Sequence, residues 1–235
     1  MKSPLSLSLL SASFLLIPFR SEAASIAFPF TAGSLVPVLT NVPPEVTVSN
    51  LSIGGGLNLS GNPDALRFEG NDTGTATGTA LTNGQYLSFS ITIASGTAIN
   101  LVSLTSDYIS TVAAGSYSNA RVYSSIHGYG DVTADTIGIL GKPQNASSSG
   151  TNVLSFTNPA SNSTVGANMA VAAGDFMNLT NRTVTFYIPW VDNGGGTAYT
   201  DLDNLTLTFD VVPEPSHVLL GGLGLIPLLR RRRPA

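Results

Sequence analysis

Leu205-Thr206-Leu207-Thr208-Phe209-Asp210-Val211 alternates apolar and polar residues without a break. A period of two puts Leu205, Leu207, Phe209 and Val211 on one face of an extended strand and the polar residues on the other. That is the mark of a sheet packed on one side and wet on the other. The same pattern recurs twice upstream. Leu87, Phe89, Ile91 and Ile93 alternate with Ser88, Ser90 and Thr92, and Val184, Phe186 and Ile188 alternate with Thr185 and Tyr187.

Working outward, weaker strands are expected at 45–53, 66–69, 99–104, 121–126, 136–140, 153–156 and 168–171. Glycine-bearing turns separate them: Gly54-Gly55-Gly56, Asn83-Gly84, Ser95-Gly96, His127-Gly128 and Asn193-Gly194-Gly195-Gly196. The chain between its ends is rich in Ser, Thr, Asn and Gly and poor in the Lys, Glu and Gln that build helix faces. About nine or ten short strands so spaced predict an all-β, two-sheet sandwich, with jelly-roll connectivity expected over an immunoglobulin-like one. Residues 141–163 read as a long polar loop around one short strand, and 71–79 as an exposed edge, loop or spacer.

Both ends differ from this body. Met1-Lys2 is a short basic region, Leu5 to Phe19 is apolar, and Ser21-Glu22-Ala23 or Glu22-Ala23-Ala24 offers small residues for a cut after Ala23 or Ala24. That is a secretory signal peptide, residues 1–23, outside the fold. At the other end Pro213 and Pro215 lack backbone donors and restrict their predecessors, so the sandwich, 24–211, is expected to stop there. Val218 to Leu229 is apolar and Arg230, Arg231, Arg232 and Arg233 follow it, which orients the segment with its arginines in the cytoplasm. The apolar stretch falls short of the roughly 20 residues a bilayer span needs. It reads as a short C-terminal apolar helix that anchors transiently.

This tail, 212–235, resembles the PEP-CTERM sorting signal of Gram-negative bacteria. The resemblance rests on Val212-Pro213-Glu214-Pro215-Ser216, the run Leu219-Leu220-Gly221-Gly222-Leu223-Gly224-Leu225, and the four arginines, in that order. His217 stands where threonine is common, and Pro227 interrupts the apolar run. The resemblance implies a substrate of exosortase, a membrane-bound processing enzyme, in a host that makes exopolysaccharide. It also implies export through the inner membrane, transient anchoring there, and a final place at the cell surface or outside the cell. In the body, 86–92, 121–126 and 201–205 look like strand segments of jelly-roll sandwiches, a shape shared with carbohydrate-binding modules.

Charge narrows the function further. Setting aside the basic residues Lys2, Arg20 and Arg230 to Arg233, and the acidic Glu22 and Glu214, leaves a body with four basic and twelve acidic residues, a net −8. Such a body supplies few cations for phosphates, which excludes nucleic acid as a partner. With no cysteine there is no disulfide, thiol nucleophile or cysteine-ligated cluster.

Catalysis finds little support. His127 sits at a turn and no nucleophile-elbow sequence accompanies it. The carboxylate pair of a glycosidase has no distinctive representative, since Asp107, Asp131 and Asp135 have the context of surface charges. The chain is therefore expected not to be an enzyme. Its expected role is a surface or matrix component associated with exopolysaccharide, with a carbohydrate-binding module as the alternative and a glycan hydrolase on the same scaffold as the third.

Aromatic platforms for sugar would come from Tyr187, Trp190 and Tyr199, with Tyr123 and Tyr129 also available. Trp190 is in phase with the core residues of its strand and reads equally as core, whereas Tyr187 points outward. Calcium takes roughly six to eight hard oxygens, and the candidate ligands are Asp201 and Asp203, with Asp192 expected across a hairpin. No other cofactor is called for.

Overall fold

The computed structural model describes residues 23–57, 59–60, 64–69, 77–129, 135–159, 162, 172, 174–192 and 198–212. The signal peptide up to residue 22, the tail from Pro213, the expected strand 168–171 and the turn 193–196 lie outside the described residues.

In chain order the elements are β1 (Ala24–Phe28), a 3-10 turn (Thr31–Gly33), β2 (Val38–Thr40), β3 (Val46–Val48), β4 (Ser52–Ile53), β5 (Leu59–Ser60) and β6 (Leu66–Glu69). There follow α1 (Thr77–Thr82), β7 (Tyr86–Ile93), β8 (Ala98–Ser110), β9 (Ser118–Ser124), β10 (Gly138–Lys142), β11 (Ser149–Ser155), β12 (Arg182–Asp192) and β13 (Tyr199–Val212). Among the described residues these strands form two antiparallel sheets. The seven-stranded sheet runs β11-β8-β13-β1-β2, with β6 also on β13 and β5 on β6. The six-stranded sheet runs β10-β9-β12-β7-β3, with β4 also on β7. The first strand therefore lies beside the last, and consecutive strands repeatedly change sheet.

The three alternating stretches become β7, β12 and β13, and their apolar faces meet in the sandwich core. Leu87, Phe89, Ile91, Ile93, Val184, Phe186, Ile188, Leu205, Leu207 and Phe209 are all buried. Each such side chain contributes about 1.5–3 kcal/mol on leaving water. Aromatic pairs join the sheets: Phe28 of β1 lies 5.2 Å from Phe89 of β7, and Phe68 of β6 stacks on Trp190 of β12 at 3.8 Å and 3°.

The opposite faces carry hydroxyl rows. Thr40, Ser25, Thr208, Ser103 and Ser155 stand in register across five strands of one sheet. On the other, Thr47, Thr92 and Thr183 do the same, with Thr92 and Thr183 hydroxyls 2.8 Å apart. Such cross-strand pairs add about 0.2–1 kcal/mol each.

Several elements depart from the expectation. β1 and β2 were not foreseen. β1 is short, and every residue of β2 is exposed, so no alternation marks it. Residues 77–82 form a helix, not an edge or spacer, although threonine and glycine are poor helix formers. The buried Ala80 and packing against β12 hold it in place. The stretch from 141 is more ordered than a polar loop. Gly141 and Lys142 belong to β10, and β11 pairs with β8 over its whole length.

Candidate functional site

The alternation of β12 turns Tyr187 away from the core, and the register sets it opposite Ser88 of β7 and Tyr123 of β9. One row on, Tyr86 faces Pro189, so its ring comes up beside Tyr187 with centroids 5.8 Å apart at 69°. A third ring arrives from outside the strands. After β9 the chain turns at 125–127, Gly128 takes φ 91° and bridges back to Ser124, and the next residue is Tyr129. Its ring lies 4.9 Å from Tyr187 while the residue remains 52% exposed.

Burial, and then the neighbouring Tyr129 and Tyr86, hold the Tyr187 phenol above the usual tyrosine range. The group therefore stays protonated and can both donate and accept a hydrogen bond. The arrangement offers aromatic faces for C–H groups and phenols and serine hydroxyls for polar ones. Sequence reading named Tyr187 and Tyr129 but missed Tyr86, whose part is visible only once β7 and β12 are paired in register.

Trp190 is corrected from sugar platform to core residue. It is fully buried, stacked on Phe68, and its Nε1 donates to Ser118 Oγ at 3.1 Å. Its phase with Val184, Phe186 and Ile188 decides this, because the core face continues along β12 to its end. Tyr199 belongs to the other sheet, and the Arg67 guanidinium covers its ring at 3.7 Å. It is therefore not brought together with Tyr187.

The calcium candidates are not gathered either. β12 and β13 do not form a hairpin: they lie in opposite sheets, which separates Asp192 from Asp201 and Asp203. Asp201 is taken by Arg67, whose Nε donates to Oδ1 at 2.7 Å and Nη2 to Oδ2 at 2.8 Å. Asp192 is buried at the end of β12, in the register row that also holds Ser118 and the buried Lys142. Among the described residues no group of three or more acidic, histidine or cysteine side chains is placed to hold a metal.

Asp203 instead faces Asp107 across β8 and β13. Asn204, at φ 50°, lies where the register shifts; its Nδ2 donates to Asp107 Oδ2 at 3.0 Å and its backbone N–H to Asp203 Oδ1 at 2.7 Å. Burial raises the Asp203 pKa above its ordinary value; repulsion from Asp107 and Asp64 adds to this, while the Asn204 N–H opposes it. A raised acid favours the fold when protonated. That contribution is complete below the ordinary value of 3.8 and is lost as pH rises through the higher folded value. Asp203→Asn is accordingly expected to stabilise the protein at pH 7, by no more than about 1 kcal/mol because solvent screens the site. In thermal melts the gain should vanish below pH 3.8; a gain that is constant with pH would show that the charge is not its source.

His127 occupies its expected turn, with Nε2 3.0 Å from Asp175 Oδ2.

The fold so described is that of an all-β, two-sheet sandwich protein. No known family model matches the chain, and no curated protein does. Among solved structures it is similar to the K1 cleaved adhesin domain of Lys-gingipain from Porphyromonas gingivalis W83. Identity is 11% over 81% of this chain and 98% of that one, with a TM-score of 0.27, too slight a likeness to bear on function.

Proposed function

We propose that the protein is exported, sorted through its C-terminal tail as a PEP-CTERM substrate of an exosortase-type enzyme, and serves without catalysis at the cell surface or in the extracellular matrix, associated with exopolysaccharide. The observation that supports this is how far the described β13 ladder runs. Among the described residues β13 stays paired with β8 up to Val212, opposite Ala98, and Pro213-Glu214-Pro215-Ser216 follows directly in the sequence. Cleavage after that point would leave the sandwich whole.

At the other end Ala24 is buried opposite Phe209, which favours a signal-peptide cut after Ala23 over one after Ala24. Taking only the longer strands, the orders β1-β13-β8-β11 and β7-β12-β9-β10 support the jelly-roll reading. The body's net −8 accords with a partner other than nucleic acid.

Replacing Pro213, Glu214 and Pro215 together with alanine is expected to leave uncleaved protein in the inner membrane, read by immunoblot of cell fractions. An unchanged distribution would overturn the sorting proposal. The alternative, a carbohydrate-binding module, is favoured by one observation, the three tyrosines on the outer face of the six-stranded sheet.

A further inference from the structure

We infer that Tyr86, Tyr187 and Tyr129 form a binding site for a neutral polysaccharide built of pyranose rings. The inference deepens the exopolysaccharide reading above and rests on it. A pyranose presents a flat face of C–H groups and a rim of hydroxyls. Aromatic rings bury the first, and phenols and serine hydroxyls pair with the second.

Two tyrosines on adjacent strands can be explained as a cross-strand pair that stabilises the sheet. The third cannot. Tyr129 belongs to no strand, yet its ring rests against Tyr187 while the residue stays 52% exposed. The cluster widens the half-buried Tyr86–Tyr187 pair into a surface drawn from three parts of the chain, with Tyr129 as its water-facing side.

Charge selects the class of glycan. The rows around Tyr187 hold Ser90 with Thr185, Ser88 with the buried Tyr123, and Tyr86 with Pro189, and the unbroken β12–β9 register brings Arg121 to the end of that last row; Asp135 reaches the turn at Gly128, one residue before Tyr129. The acidic body repels polyanions at longer range. Arg121, two residues before Tyr123 on β9, is the one basic residue of that strand, and an acidic probe measures whether it overrides this preference. The other aromatic candidates are spent elsewhere: Trp190 in the core, Tyr199 beneath Arg67, and Tyr123, expected as an available platform, fully buried.

The test is affinity electrophoresis of the full-length chain in a detergent without a sugar headgroup, such as lauryldimethylamine oxide, through native gels containing galactomannan, mixed-linkage β-glucan or polygalacturonate. At least one neutral polymer should retard the wild type, and polygalacturonate should not. Tyr129→Ala and Tyr187→Ala should each weaken retardation about tenfold, as for a central aromatic contact, whereas Tyr187→Phe keeps most of it.

Emission from Trp190, buried against Phe68, reports whether each variant is folded. Tyr129→Ala removes no strand residue, so it remains informative if Tyr187→Ala fails to fold. The inference is overturned if neither neutral polymer retards the wild type, if folded Tyr129→Ala migrates as the wild type does, or if polygalacturonate retards more strongly. Because sorting is read separately in cell fractions, failure here with normal dependence on Pro213-Glu214-Pro215 removes the sugar site alone. Sugar binding with unaltered fractionation removes the sorting alone.

Discussion

Trp190→Ala should lower stability by about 3–5 kcal/mol, the usual cost of truncating a fully buried large aromatic. Domains are stable by only about 5–15 kcal/mol, so the loss would consume much of the total. The ring joins the two sheets through its stack on Phe68, and its Nε1 satisfies the Ser118 hydroxyl inside the core. Alanine would leave a cavity between β6 and β12 and an unpaired oxygen beside it, and neither sheet can close the gap without shifting its ladder. In urea denaturation the midpoint should fall with little change in slope. A loss within about 0.5 kcal/mol, typical of a surface site, would mean that Trp190 is not the inter-sheet contact described above.

Gly141→Ala is expected to cost more than about 2 kcal/mol, from two sources that add. The residue has φ +83°, a left-handed conformation that penalises any Cβ. The new Cβ would also lie 2.7 Å from Trp190 Cη2 and 2.8 Å from the Ser118 carbonyl oxygen. One neighbour is a ring wedged in the core and the other is backbone in β9, so neither gives way easily. Thermal unfolding measures the effect, and a shift equivalent to less than about 0.5 kcal/mol would show that the strand relaxes around the methyl group. Combined with Trp190→Ala the costs should fall short of additive. Removing the indole relieves one of the two contacts while the Ser118 carbonyl remains.

Where the chain announced its structure, it did so through local period. Leu205 to Val211 named a strand and its buried face from seven consecutive letters, and β13 has that face. Trp190 carried both readings in sequence, and its phase was the correct guide. β2 carried no such signal, because a strand exposed on both faces needs no alternation. Gly141 looked like the opening of a polar loop, yet it is the place where β10 passes so close to β9 and Trp190 that only a glycine fits.

The candidate sites were less legible for the same reason. Asp192 and Asp201 are nine positions apart around a glycine-rich stretch and look like hairpin neighbours, but β12 and β13 belong to different sheets. The true partner of Asp201 is Arg67, 134 residues away. Tyr86 and Tyr187 meet for the same kind of reason, as does Tyr129, carried back by the turn after β9.

By itself the sequence determined the class of fold, the buried face of the principal strands, the acidic character of the body and the three-part composition of the tail. Each of these follows from residues close together in the chain. Only the tertiary structure decided which strands pair, which sheet each joins, and hence that three tyrosines share one surface while three aspartates do not share a metal. A strand's period states which way its side chains point. Its neighbour is chosen by long-range hydrogen bonding and core packing summed over the whole sandwich.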